Sequence, residues 1–420
     1  MALDLSAFDA ALKEFYEEGA RTLLNNEIIG FKELEETQKP WSGRRVVSLF
    51  KTGRSNAVGA RAENGTLPTH SNQAWANCIV SATYQYGVIR LSGPVIKSGD
   101  GNAFINAVSS EMAGMVDDLK NDLSRQFHGY GDGRIAQVAA AVASASNVTL
   151  YNRFAEPGQP GARFLYRGMS LDFGTIASPT ALASSQVVST IAISANPATT
   201  TDSVTVTAST INASQCETFV FNRGAGGQGL ELMGLQGLLD EYTQSNIFSS
   251  NAFQSATVQN ISRATVTNWN ASVLENSGVA RVIDSHLMET AFDRISTESG
   301  LEADTIWGHH GSVRAFLESV ASDRRYTSAD FDAGRKKLSY NGIDLIRDRH
   351  GAYNALLILK KSVIKTYTLS DFAWADADGA ILSRVSSVDA WEAFLACYKN
   401  IGIDDNPRGA CWIRDILVDF

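Results

Sequence analysis

The chain has 420 residues, 44% hydrophobic and 19% charged, with a formal net charge of −9 at pH 7. That length exceeds one ordinary core, so two or three subdomains are expected, and the composition is globular rather than disordered. A protein that grips DNA through phosphates needs a basic face; only short pairs such as Arg324-Arg325 and Lys336-Lys337 occur, which argues against specific nucleic-acid binding.

The start, MALDLSAFDAALKEF, has neither the basic nor the apolar region of a signal peptide. No apolar run reaches membrane-spanning length; the nearest, IAQVAAAVASA (135–145), is short and alanine-rich, so no membrane partner is expected. Cys78, Cys216, Cys397 and Cys411 are scattered without CxxC spacing, which fits reduced thiols in a cytoplasmic setting.

Residues 1–36 open with Ser6 and Asp9 as a helix start, and Leu5, Phe8, Leu12, Phe15, Leu23 and Leu24 fall near one helical face. This segment holds nine acids against three bases, whereas residues 39–75 hold six bases against Glu63 alone. Neighbouring blocks of opposite sign predict mutual contact, within one chain or between copies.

A strand-like run, RVVSLF (45–50), leads into the long stretch GRSNAVGARAENGTLPTHSNQAW (53–75), and NCIVSATYQYGVIRL (77–91) leads out. The stretch carries only Val58, Leu67 and Trp75 as large apolar side chains. Structureless connections of this length are uncommon in compact domains unless they serve a purpose. Two arms of ~12 residues at ~3.3 Å each would reach roughly 40 Å, enough to leave one subunit and lie on the next.

The clearest helix follows. From residue 102 to 128, Phe104, Val108, Met112, Met115, Leu119, Leu123 and Phe127 recur every three or four residues, and GYGDG (129–133) supplies the stop. Such a helix is ~40 Å long. Its flank is acidic: across 100–132 six acids, among them Asp117, Asp118 and Asp122, oppose Lys120 and Arg125.

Short β-branched and aromatic runs between turn clusters predict strands over 147–222, as a small sheet or barrel. Beyond the glycine-rich break the pattern is mixed. Helices are expected over 280–298 and 312–323, and strands over 303–310, 337–348, 354–361, 362–369 and near 410–416.

Few residues suggest chemistry. Gly224-Ala-Gly-Gly-Gln-Gly229 matches a dinucleotide-binding fingerprint, but an antiparallel context precedes it and no strand with a terminal acid follows at the required distance. A flexible glycine loop is the better reading, and an oxidoreductase remains only as an alternative class. His309-His310 lack zinc-ligand spacing and read as polar residues at a helix start. Asp376-Ala-Asp378-Gly379 lacks the remaining ligands of a calcium loop. Asn341-Gly342 is a hairpin turn, and Trp391 and Phe394 are expected in the core. No catalytic residue, cofactor or metal is expected.

The order of parts resembles the major capsid proteins of tailed phages, the Hong Kong 97-type shell fold. FINAVSSEMAGMVDDLKNDLSRQFHGYGDGRIAQV (104–138) looks like that family's spine helix and its glycine-rich exit. RFLYRGMSLDF (163–173) and WEAFLACYKNIGIDDNPRGACWIRDI (391–416) also look like family segments. The resemblance implies an α+β fold: N-terminal arm 1–40, extended loop 41–95, peripheral domain 96–162 with the spine at 102–128, a small β-rich elaboration at 163–225, axial domain 226–378, and a return to the peripheral domain over 379–420. It implies self-assembly into hexamers and pentamers of an icosahedral virion shell, built in the host cytoplasm, that encloses double-stranded DNA without reading its sequence. A portal and a decoration protein are further implied partners. No long fused scaffold precedes the arm, so a separate scaffolding protein is expected. Some relatives cross-link Lys to Asn, but no matching positions are identified here. An encapsulin-like compartment shares the fold and stands as the alternative.

In that family the loop drapes over a neighbour's spine helix. Arg44, Arg45, Arg54, Arg61 and Trp75 on the loop, and Asp117, Asp118 and Asp122 on the spine, are the expected inter-subunit contacts. Trp75 is the expected apolar anchor.

Overall fold

The computed structural model describes residues 30, 34, 41, 43–94, 101–154, 161–194, 201–207, 211–214, 218–224, 230–242, 256–321, 339–375 and 383–418. Side chains at 101–110, 144, 320 and 321 are outside that description. The N-terminal arm lies almost wholly outside it, as do Gly226–Gly229 of the glycine motif and the Asp376–Gly379 turn. Of the arm, Leu34 is described and is buried in the main core.

Strands β1 (Arg45–Gly53) and β2 (Ala74–Ser81) form an antiparallel hairpin. The run 77–91, expected as one strand, is two. It breaks at Ala82, and β3 (Thr83–Ser92) joins a different sheet. Helix α1 (Gly101–Phe127) coincides with the helix expected over 102–128. Leu119, Leu123 and Phe127, four residues apart, are buried, as the 3.6-residue period requires. The left-handed turns that let the chain leave come at Gly131 (φ 76°) and Gly133 (φ 81°).

Beyond α1 lie β4 (Arg134–Val138), β5 (Val142–Ala145), β6 (Asn147–Asn152), β7 (Ser170–Gly174), β8 (Ala183–Ala192), β9 (Asp202–Val206), β10 (Ile211–Ala213) and β11 (Phe219–Asn222). Six of these close a barrel in the order β11-β4-β6-β9-β8-β7, and β5 pairs with β10 beside it. The barrel has its own apolar interior, including Val138, Leu150, Leu171, Phe173, Val204 and Val220. It therefore begins at Arg134, not at residue 163, and the run at 163–169 is turns rather than strand. β4 looked like part of an alanine-rich apolar run because all five of its residues are buried.

A small hairpin, β12 (Thr257–Val258) with β13 (Ile261–Ser262), precedes β14 (Ser272–Leu274). Helix α2 (Ser285–Ser299) starts on Asp284, whose side chain accepts from Leu287 N–H, and stops at left-handed Gly300. β15 (Thr305–Gly308) and helix α3 (His310–Ala321) follow. The run 337–348 is a hairpin, not one strand: β16 (Ser339–Tyr340) and β17 (Ile343–Arg347) turn at Asn341-Gly342, both at positive φ. β18 (Leu356–Leu359), β19 (Ile364–Trp374), β20 (Ser383–Arg384), β21 (Ala390–Ile403) and β22 (Ala410–Ile413) are the remaining strands among the described residues.

Two further sheets result. A mixed six-stranded sheet runs β14-β22-β18-β15-β17-β16. Its residues alternate: Trp307, Leu357 and Trp412 enter the core shared with α1, while Ile306, Ile358 and Cys411 face the cluster containing α2 and α3 residues. The other sheet pairs β21 with β19 and β20 along one edge and with β3 along the other. Helix α1 packs on this second sheet, where Gly87 leaves room for Met115. Gln126 Nε2 donates to Gln85 Oε1 at 3.1 Å. The described cysteines Cys78, Cys397 and Cys411 are buried.

Candidate assembly surface

The loop divides into a stem and a tip. In the stem, Val46 pairs with Val80, Ser48 with Cys78 and Phe50 with Ala76. Cys78 and Val80 are buried, and the Phe50 ring meets Trp269 edge-on at 4.9 Å. Ile79 N–H donates to the Gln259 carbonyl at 2.9 Å. The stem is thus fixed to its own subunit. Its other face leaves Arg45, Val47, Leu49 and Lys51 exposed.

Beyond Gly53 the chain runs through residues 54–73 without a ladder partner. The bonds that order this tip are local. Ser55 Oγ donates to the Ser71 carbonyl at 2.7 Å, and Gly65 N–H donates to the Ala62 carbonyl at 2.9 Å. Arg61 Nε donates to the Thr66 carbonyl at 3.2 Å. Val58 is 87% exposed, Leu67 82% and Trp75 54%. Trp75 stands opposite Lys51, at the outer end of the ladder where the tip begins. Among the described residues, no carboxylate pairs with Arg54 or Arg61, and both are exposed, as are Arg44 and Arg45.

The acids of α1 divide in two. Asp118 is exposed and Asp117 is half-buried. Partial burial, then the neighbouring charges of Asp117 and Glu111, push the Asp118 carboxyl above its ordinary range. A cation docking there would relieve that repulsion. Asp122 is already engaged: it accepts from Arg125 Nε and Gln126 Nε2, both at 2.8 Å. Arg125 also pairs with buried Glu231. Asp132 is committed to Arg134. The acidic character of the helix is therefore concentrated at Glu111, Asp117 and Asp118, and the charge counts across 100–132 overstate what a partner meets. Asp117 and Asp118 are neighbours on α1, and Arg54 and Arg61 both stand in the tip.

Sequence reasoning missed one feature. The face of the second sheet opposite α1 exposes Tyr84, Tyr86, Val88 and Phe394. The Tyr84 and Tyr86 rings meet Tyr398 edge-on at 5.3 and 5.9 Å. Phe394 therefore lies on an open aromatic face and not in the core, because β21 alternates and its neighbours Ala393 and Leu395 take the buried side. The period of two in TYQYGVIRL was the available signal.

The other candidates resolve into structure. β11, the strand before Gly224, lies antiparallel between β4 and β7 in the closed barrel, so the parallel β-α-β setting of a dinucleotide site is absent there. Gly224 N–H donates to Asp172 Oδ2 at 3.0 Å. His309 is buried, with Nδ1 accepting from Gly311 N–H at 3.1 Å. His310 opens α3 and is exposed. Among the described residues, no cluster of His, Cys, Asp and Glu could hold a metal ion. No described helix is long and apolar enough to cross a membrane.

No protein-family model matches the chain, and no curated protein matches it in sequence. Solved structures do. A chain of the Cyanophage A-1(L) capsid asymmetric unit aligns with TM-score 0.62 at 12% identity, covering 99% of this chain and 99% of that one. A chain from the capsid of a native GTA particle aligns with TM-score 0.52 at 8% identity, over 97% and 96% of the two chains. The likeness runs essentially end to end, and at these identities it speaks to the fold: this chain has the α+β fold of phage capsid proteins.

Proposed function

We propose that this chain is the major capsid protein of a tailed phage, a self-assembling subunit of an icosahedral shell with Hong Kong 97-type architecture. The observation that carries the proposal is a capsid fold along the chain bearing a 20-residue tip that the described residues leave largely exposed. In this reading α1 is the spine of the peripheral domain, the mixed sheet with α2 and α3 belongs to the axial domain, and the barrel is the β-rich elaboration. The tip reaches a neighbouring copy and lies against its α1. Arg54 and Arg61 meet Asp117 and Asp118, and Val58, Leu67 and Trp75 supply the apolar contact. Arg44 and Arg45 act nearer the stem.

Magnitudes rank these contributions. Fully burying a large apolar side chain is worth about 1.5–3 kcal/mol, while an exposed ion pair contributes about 0.2–1 kcal/mol. The apolar anchors thus supply most of the attraction, and the charges select position and partner. A closed shell repeats the contact many times, so each one can be weak and reversible during assembly. The enclosed DNA would be held without sequence reading, and the separate scaffold, portal and decoration proteins are partners of this same proposal.

Electron microscopy and sedimentation of the expressed protein test the reading. Large particles or capsomers are expected, whereas a small closed oligomer would overturn it. Nucleic acid inside particles from infected cells separates a virion from an encapsulin-like compartment. Reversing Arg54 and Arg61 to Glu is expected to block shell formation while leaving folded subunits; normal particles from that variant would remove the electrostatic part of the proposal.

A further inference from the structure

Where the barrel meets the mixed sheet, two buried hydrogen-bond donors lack acceptors. Arg153, just past β6, is 2% exposed. Its Nη1 donates to the Arg125 carbonyl at 2.6 Å and its Nη2 to the His350 carbonyl at 2.9 Å, while its Nε has no partner. His350 is 3% exposed, and its Nε2 accepts from Arg349 Nε at 3.1 Å. A guanidinium has only donors, so the imidazole proton sits on the other nitrogen. That Nδ1–H also has no partner.

Arg153 and His350 line a single recess of about 10 Å³, room for one water-sized guest. Half-buried Arg163 lines it too. The Phe164 ring stacks on His350 at 5.6 Å, with the Arg153 and Arg163 guanidiniums 5.6 and 5.4 Å from its centroid. Among the described residues no carboxylate pairs with Arg153 or Arg163. The nearby acids Asp122 and Glu231 act on Arg153 through space but spend their hydrogen bonds on Arg125, and Asp348 holds His128 and the backbone N–H of His350.

A buried cation without a directly paired counter-charge is costly, as is a buried donor without an acceptor. One guest removes both costs if it accepts two hydrogen bonds, donates none, carries negative charge and is a single compact ion. We propose that this recess binds a monatomic anion, chloride under ordinary conditions, between Arg153 Nε and His350 Nδ1, with Arg163 adding positive charge at its side. Oxyanions such as phosphate exceed the space. The ion ties the barrel to the mixed sheet, so it fixes how the barrel sits on the subunit. This inference does not depend on the shell proposal.

The test is thermal unfolding of the full chain in sodium gluconate against sodium chloride and sodium bromide, at one ionic strength, pH and state of assembly. Halide is expected to raise the midpoint by ~2–6 °C, saturating with concentration. Arg163→Gln is expected to weaken the apparent halide affinity by about tenfold or more, the effect of losing one nearby charge in a desolvated site. Anomalous scattering from bromide-grown crystals of the unaltered chain is expected to peak in the recess, a readout that no variant's folding affects. Equal midpoints in gluconate and chloride, an equal halide increment in Arg163→Gln, or a recess holding only water would each overturn the proposal.

Discussion

Mild acid should destabilise the subunit through His309. The ring is 7% exposed and lies 3.8 Å, centroid to centroid, from Tyr353. Burial, reinforced by the positive charge of Arg163, pushes its pKa down to about 3, from about 6.5 in an unfolded chain. The unfolded state therefore takes up the proton first. The stability that neutral His309 preserves is present above pH ~6.5 and is lost as pH falls from there toward about 3. Between pH 7 and pH 5 the loss is about 2 kcal/mol, from ~1.36 kcal/mol per pH unit once the unfolded histidine titrates. Any folded value well below 5 gives the same figure. His309→Asn supplies an amide oxygen for Gly311 N–H and removes the titration. Urea unfolding at pH 7 and pH 5, followed by circular dichroism, should show the variant losing about 2 kcal/mol less than the unaltered chain. Equal losses in the two proteins would refute the reasoning.

Two further substitutions probe the exit of α1. A Cβ at Gly234 would stand 2.3 Å from the Gln126 carbonyl oxygen and 2.4 Å from that of Phe127. Both obstacles are backbone and cannot rotate aside, so Gly234→Ala should abolish soluble expression or cost more than ~3 kcal/mol in denaturant unfolding. Phe127→Ala empties a fully buried site in the main core, where its ring meets Trp307 edge-on at 5.6 Å. It should cost about 3–5 kcal/mol by the same measurement.

Much of the fold was readable because local period sets local structure. Helix α1 shows its apolar repeat in full, and the glycines after it stand where the chain turns. The stem and tip were visible as a strand, a poorly apolar stretch and a second strand. What stayed hidden depends on distant residues. β3 and β21 pair along ten residues from Thr83–Lys399 to Ser92–Ala390, and nothing local announces a partner some 300 positions away. The break at Ala82 was hidden for the same reason: β2 and β3 are each well-formed strands, and only their partners differ. β4 reads as an apolar run because a barrel wall buries it on every side. At the candidate surface, Arg54, Arg61, Asp117 and Asp118 were readable as charges that no ion pair among the described residues engages. Asp122 was not, since its engagement depends on Gln126 and on the Arg125–Glu231 pair, and Glu231 comes from more than a hundred residues further along.

That β3–β21 ladder has a kinetic consequence. The platform beneath α1 is built from one early strand and one late one, so it stays half-made on the ribosome until residues 390–403 have emerged. Contacts this distant form slowly, because a long loop must close before any bond repays it. A growing chain therefore exposes the tip well before it possesses the seat for α1. The platform on which α1 rests is thus among the last parts of the subunit that can form, a delay set by the order in which two strands are made.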